Sequence, residues 1–300
     1  MAPEPSVVAD YGNHTGEGPI WHPDEQALYW VDIPVGALFR YDPASGDHAQ
    51  VYQTDLVGGV TVQADGDLLL FGDRGRVETL DTDTWETETV VKEIEGEEAG
   101  RFNDVIAAPD GSVFCGTMPT ESDPAETPGT LYRLDPDASL TVVEEEAWLP
   151  NGLGFSPDRE TMYFTESTGY VINRYAYDEA TGELSDREAF VETDPDDGIP
   201  DGMTVDGAGD VWSARWNGGR LVRYRPDGTE AGHVEFPAKK VSAVAFGGPE
   251  FETAYVTTAM GPGDGFKHSK AEEGAGAGAL FEVDLGVAGK PEFYSRVGLD

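Results

Sequence analysis

Short apolar runs separated by turns rich in Asp, Gly and Pro recur along the whole chain, and six of them align on one template. The segments are GEGPIWHPDEQALYWVDI, GGVTVQADGDLLLFGDR, NDVIAAPDGSVFCGTM, NGLGFSPDRETMYFTES, DGMTVDGAGDVWSARW and SAVAFGGPEFETAYVTTA. Each reads as a leading residue, an apolar strand, a tight turn and a second apolar strand. The leading residues form a column of Glu17, Gly58, Asn103, Asn151, Asp201 and Ser242, spaced by 41, 45, 48, 50 and 41 positions. That spacing matches the ~40–50-residue period of four-stranded propeller blades. A third strand follows in each repeat and ends in an acidic turn, as in ALFRYDPASG, TLYRLDPDAS and GRLVRYRPDG. Poorer, more polar stretches such as TETVVKE and REAFVET suit outer strands that face water. The pattern predicts an all-β chain, a six-bladed β-propeller spanning 1–300 as a single domain. SVVADYG is expected to pair with the last blade near PEFYSRV, closing the ring and removing an exposed edge. With 38 Gly and 20 Pro punctuating the chain, long helices have little room.

Charge changes the picture next. Asp and Glu number 58 against 19 Lys and Arg, six of the latter being Lys, for a formal net charge of −39. Such a surface repels nucleic acid and anionic membranes. The acids spread through turns and outer strands without forming a tail, which suits a halophilic protein working where salt screens charge to about 3 Å at 1 M. No apolar run approaches the ~18 residues of a membrane span, and the N-terminal MAPEPSVVAD lacks the features of a secretion signal, so a cytoplasmic location is expected. Cys115, the one cysteine, lies in the apolar SVFCGTM and reads as core filling. Two loops exceed the repeat length, MPTESDPAETPG and AMGPGDGFKHSKAEEGAGAGA, and both are candidates for shaping a rim.

In a propeller, equivalent positions at the start of each inner strand surround one axis. Glu17, Asn151 and Asp201 thereby converge as two carboxylates and one amide, a hard-oxygen set suited to a divalent cation. No histidine shares the column, which argues against a structural or proteolytic zinc site. There is no G-x-S-x-G elbow or triad order, and the five histidines fall in turns, strand flanks or the late loop.

These residues carry a family resemblance. GEGPIW, RFNDV with GTM, LPNGLGFS, and DGIPDGMTVD followed by WNGGR resemble the SMP-30/gluconolactonase family, which includes regucalcin and sugar-acid lactonases. The resemblance covers nearly the whole chain. It implies a six-bladed propeller holding one divalent metal (Ca, Mg, Mn, Zn or Fe) through Glu17, Asn151 and Asp201, the residues the column already selects. It also implies substrate contacts from Arg101 and Asn103 of the RxND motif, and from Glu121 after GTM, although Thr120 replaces the first Glu of the usual pattern there. Val105 stands where a Gly commonly follows RxND.

The implied activity is metal-dependent opening of a pentono- or hexono-lactone to its aldonic acid, with Asp201 as catalytic base and no covalent nucleophile. The expected partner is a small sugar lactone, and the expected assembly a monomer or small homo-oligomer. Two alternatives stand beside it: a non-catalytic, regucalcin-like metal-binding protein, and a propeller phosphotriesterase or arylesterase.

Overall fold

The computed structural model describes residues 3–261 and 268–299 and is built from six four-stranded antiparallel sheets. Five sheets are simple meanders of consecutive strands. Their inner strands are Gly16–His22, Gly59–Val62, Gly100–Ala107, Pro150–Phe155 and Ile199–Val205, heading blades 1 to 5. Blade 6 runs inward from Ser6–Asp10 through Ala279–Val283 and Thr253–Ala259 to the inner strand Lys240–Gly247. The first strand of the chain is therefore the outermost strand of the last blade, and the ring closes by antiparallel pairing of Ser6 with Glu282 through Asp10 with Ala279.

That closure corrects the expected partner of SVVADYG. PEFYSRV does not join blade 6; it crosses under the ring as an extended segment that binds one blade after another. Ser295 N–H donates to Val62 O (2.9 Å) in blade 2, Arg296 N–H to Gly111 O (2.8 Å) and Gly298 N–H to Pro136 O (2.8 Å) in blade 3. The alternation that reads as a strand serves equally for a segment with apolar side chains turned toward the ring floor, where Phe293 and Val297 pack.

The core lies between blades. Six main apolar clusters occupy the six seams, for example Val31, Leu38, Val60 and Leu70 between blades 1 and 2, and Phe114, Leu131, Phe155 and Phe164 between blades 3 and 4. The two inner strands of each blade are apolar on both faces because each face meets a neighbour. Cys115 is fully buried in the seam of blades 2 and 3, where burial pushes its thiol far up, as expected of core filling. Among the described residues the helical content is one short α-helix, Lys270–Glu273, and two 3-10 turns.

Both long loops join second to third strands, on the rim where the inner strands begin. Residues 262–267 of the second loop lie outside the described part of the chain. Below the column the axis holds a cavity of about 60 Å³, lined by Gly18, Thr61, Asp104 and Thr204 and floored by Glu292 and Phe293 of the crossing segment.

Candidate active site at the head of the inner strands

A repeated irregularity places the site. In five blades the pairing of the inner strand with its neighbour slips by one residue: between Glu17 and Ile20, Phe102 and Val105, Asn151 and Leu153, Pro200 and Met203, and Val241 and Ala243. Blade 2 alone keeps a regular register from Gly59 onward. A bulge of this kind bends the strand and re-aims side chains at its extra residue. Here each one coincides with a column position. Gly58 is the exception for a steric reason, since a Cβ there would lie 2.0 Å from the Phe102 carbonyl oxygen.

The bulges bring Glu17, Asn151, Asp201, Arg101 and Asn103 to one rim. Glu17, Asn151, Asp201 and Arg101 are each less than a tenth exposed. Asn151 Nδ2 donates to Asp201 Oδ1, while Asn151 Oδ1 accepts from the Gly152 amide at 3.1 Å. Glu17 Oε2 accepts from the Gly18 amide at 3.1 Å. Arg101 Nη1 donates to Phe102 O (2.8 Å) and Asn103 Oδ1 (2.9 Å), and Asn103 Nδ2 donates to Pro150 O (2.8 Å), locking blade 3 to blade 4.

The remaining column position, Ser242, turns away and bonds Gly16 O (2.6 Å) and Thr257 Oγ1 (3.0 Å) in the seam to blade 1. Glu121 is not brought in: it lies exposed in the bend after Val113–Pro119, with no hydrogen bond or ion pair described for it. Val105 packs its side chain against Gly59 and lines the axial cavity.

Electrostatics sets the chemistry available. Burial pushes the Glu17 carboxyl well above the usual carboxylate range, and the charges of Asp201 and Asp104 push it further. Asp201 is raised in the same way, by burial and then by Asp104. Burial lifts Asp104 to about 6. The Arg101 guanidinium falls to about 10 through burial, held up by Glu17 and Asp201.

Asp104 and Arg215 are the residues the sequence pattern missed. Arg215, opposite Pro200 in the register, is fully buried on Ser213 Oγ, Ala214 O and Tyr224 OH (2.7 Å), and its charge acts on Asp201. Asp104 follows a column residue, and counting one position per blade passes over it. Its signal was present: the residues after the column are Gly18, Gly59, Asp104, Gly152, Gly202 and Ala243, one acid among small residues.

The donor set fits a hard divalent cation. Among the described residues no three His, Cys, Asp or Glu side chains converge closely enough to grip an ion by themselves, so Glu17 and Asp201 would need the Asn151 amide oxygen as a third donor. A half-turn of that amide exchanges its nitrogen and oxygen. It would set Asn151 Oδ1 against Asp201 Oδ1, an oxygen pair that needs a cation or a proton between, and would give up the Gly152 amide bond.

A six-bladed propeller with buried oxygen donors at the axial ends of its inner strands, beside an arginine and an amide, defines a polar site for a small molecule. Residues 15–260 match the SMP-30/Gluconolactonase/LRE-like region, and the chain belongs to that family. It is 52% identical over 294 residues to pentonolactonase XacC of Haloferax volcanii, covering 97% of this chain and 98% of that protein. Among solved structures it is similar to the calcium-binding protein regucalcin of Agrobacterium tumefaciens (TM-score 0.87, 27% identity, 98% and 97% of the two chains). A gluconolactonase of Xanthomonas campestris superposes with a TM-score of 0.76 at 25% identity, over 94% of this chain and 89% of that one.

Proposed function

We propose that this protein hydrolyses a sugar-derived lactone, of the pentono- or hexono- class, to the aldonic acid. The observation that carries the reading is the meeting of Glu17, Asn151 and Asp201 with Arg101 and Asn103 at one buried rim. The 52% identity to a pentonolactonase over nearly the whole chain supports the substrate class.

Glu17, Asn151 and Asp201 would hold one divalent cation, Ca2+, Mg2+, Mn2+, Zn2+ or Fe2+. When bound it supplies Lewis-acid polarisation of the lactone carbonyl. Asp201 accepts a proton from the water that attacks the carbonyl carbon, a contribution of about 10²–10⁴-fold in rate. The bond from that carbon to the ring oxygen breaks, and the ring oxygen takes up the proton as the hydroxyl of the aldonic acid. Asn103 is held by Arg101 and Pro150, so it faces the sugar already oriented. Arg101 spends Nη1 on Phe102 and Asn103, leaving Nε and Nη2 to bind sugar hydroxyls and the carboxylate product. In this reading Glu121, exposed on the loop after Val113–Pro119, is the remaining candidate for a substrate contact.

The same reading places the enzyme in the cytoplasm of a salt-adapted cell, as one domain over 1–300 and a monomer or small homo-oligomer. The net charge of −39 and the Haloferax relative support the salt adaptation. Among the described residues no helix is long and apolar enough to cross a membrane.

Initial rates on a panel of aldono-lactones, with and without chelator and corrected for spontaneous opening, test the proposal. Loss of activity with chelator and its return with several hard divalent ions is expected, because three oxygen donors impose little geometric selectivity. Full turnover by verified metal-free protein would remove the cation from the mechanism. Calcium binding without turnover of any lactone would leave the regucalcin-like alternative.

A further inference from the structure

Asp104 is used by none of the steps above, yet the fold singles it out. The residue after each column position stands at the crowded head of an inner strand, and at five of the six positions that residue is Gly or Ala. The small residues are needed because neighbouring backbones close in there: a Cβ at Gly202 would lie 2.5 Å from Ala243 Cβ. Position 104 alone carries a functional side chain into this ring, and that side chain lines the axial cavity with Gly18 above the Glu292 floor. One Oδ1 accepts from the Val105 amide (2.8 Å), which fixes the carboxylate without neutralising it.

Counting charges shows what the extra carboxylate does. Glu17 and Asp201 face two buried guanidiniums: Arg101 beside them, and Arg215 behind Asp201, which makes no ion pair among the described contacts. Arg215 also feels Asp197 and Arg220, which pair with each other and cancel, so the four inner groups already balance. A divalent cation entering that set would bring two uncancelled positive charges into a buried site, a costly addition in low dielectric. Asp104 is the carboxylate in excess, and it acts electrostatically on both Glu17 and Asp201. Among the described residues Asp104, Glu17 and Asp201 do not converge into a three-carboxylate grip, so the ligand set stays Glu17, Asn151 and Asp201 with Asp104 outside it. The cavity beside it has room for water to bridge the gap.

We propose that Asp104 is a positioning residue for the cation. It approaches from the axial-channel side, supplies the negative charge that makes the buried set accept a divalent ion, and orients a water between itself and that ion. This rests on the Glu17, Asn151 and Asp201 cation site proposed above.

Calorimetric titration of metal-stripped protein with Ca2+ and with Mn2+ at fixed KCl, for the parent, Asp104→Asn and Asp104→Gly, tests it. Outer partners of metal sites are typically worth 10–100-fold in affinity. Asp104→Asn, which keeps an acceptor for the Val105 amide, should bind one ion with affinity lowered by about that factor. Thermal unfolding adds a readout that a merely structural residue would not give. In chelator Asp104→Asn should melt at or above the parent temperature, because it relieves like-charge crowding, and with saturating Ca2+ it should gain less than the parent gains. A variant that binds as tightly as the parent overturns the role of Asp104 while leaving the cation site standing. A variant that melts equally far below the parent in chelator and in Ca2+ shows a structural role only, and also overturns it. A parent that binds neither ion overturns the cation site, and Asp104 with it.

Discussion

Asparagine in place of Asp201 keeps an oxygen beside Asn151 but removes the negative charge and the proton acceptor, so it separates binding from chemistry. With saturating cation, Asp201→Asn is expected to lower kcat by about 10²-fold or more. Arg101→Ala should raise KM at least as much as it lowers kcat, because the proposed task of the guanidinium is to hold the sugar in ground and transition states alike. Steady-state rates on the best lactone of the panel check both. An Asp201→Asn enzyme with near-parent kcat would make Asp201 a ligand only and move the base elsewhere. At this scale the sequence column was informative where one residue per blade suffices: Glu17, Asn151 and Asp201 are selected by register before any resemblance, and the structure buries all three at the inner-strand heads. Asp104 escaped because a count of one position per blade passes over the residue that follows the column. Arg215 escaped because an arginine at the end of the second strand of a blade looks like any rim residue until burial is known. Glu121 was indicated only by likeness to a loop pattern this chain does not fully keep, and it stays exposed.

Blades were legible because the element pattern is local: an apolar strand, an acidic turn, another strand. The turn acids explain part of the composition as well. Asp42, Asp81, Asp137 and Asp227 each accept backbone amides two residues on, at 2.8 to 3.0 Å; the amides of Ala44, Thr84 and Thr229 and the Ser139 hydroxyl do most to lower their carboxyls. Ring closure was less legible, since which outer strand pairs with a terminal segment depends on contacts between residues 6–10 and 279–283 that no local pattern encodes. The second long loop shows a further non-local device. Its helix Lys270–Glu273 docks on the entry to blade 6 through Lys239 N–H to Glu273 O (2.7 Å) and through an ion pair of Glu273 with buried Lys240, whose ammonium also sits 5.7 Å from the Trp216 ring centre. Burial alone would raise the Glu273 carboxyl, but the bonds from Lys240 and His268 overcome it and leave it lowered. The docking is therefore fully present above the ordinary glutamate pKa of about 4.3 and is lost as pH falls through the lower folded value. Glu273→Ala leaves Lys240 buried without its partner and should cost about 3–5 kcal/mol. Lys240→Met combined with Glu273→Leu should restore most of that. Thermal unfolding, with hydrogen exchange at Lys239 and Gly276, distinguishes the two. Equal stability of the single and double variants would mean that the pair does not anchor the loop.

For the whole molecule the governing quantity is the imbalance of 58 acids against 19 Lys and Arg. Salt acts on it in two opposite ways. It weakens attractive pairs such as Arg74 with Glu93 (3.0 Å) and Arg159 with Glu179 (2.9 Å), both about half exposed. Exposed pairs of that kind are worth about 0–1 kcal/mol each. Salt also weakens repulsion among the acids that no cation can match, and the formal excess of 39 is twice the number of Lys and Arg available for pairing. Screening falls from about 10 Å at 0.1 M to about 3 Å at 1 M, so repulsion between neighbouring turns is largely removed in concentrated salt while the buried Lys240–Glu273 pair is screened much less. Repulsion is the larger effect. Thermal unfolding should move upward between 0.1 M and 2 M KCl by several kcal/mol of stability, on the order of 10 °C. A parallel scan in sucrose at matched osmolality separates charge screening from general solute exclusion, since sucrose stabilises compact states without screening. A rise in KCl well beyond that in sucrose is the expected result. Unfolding at one temperature in both KCl concentrations would mean that the excess acids are too widely spread to strain the fold, and that the acidity serves hydration and solubility alone.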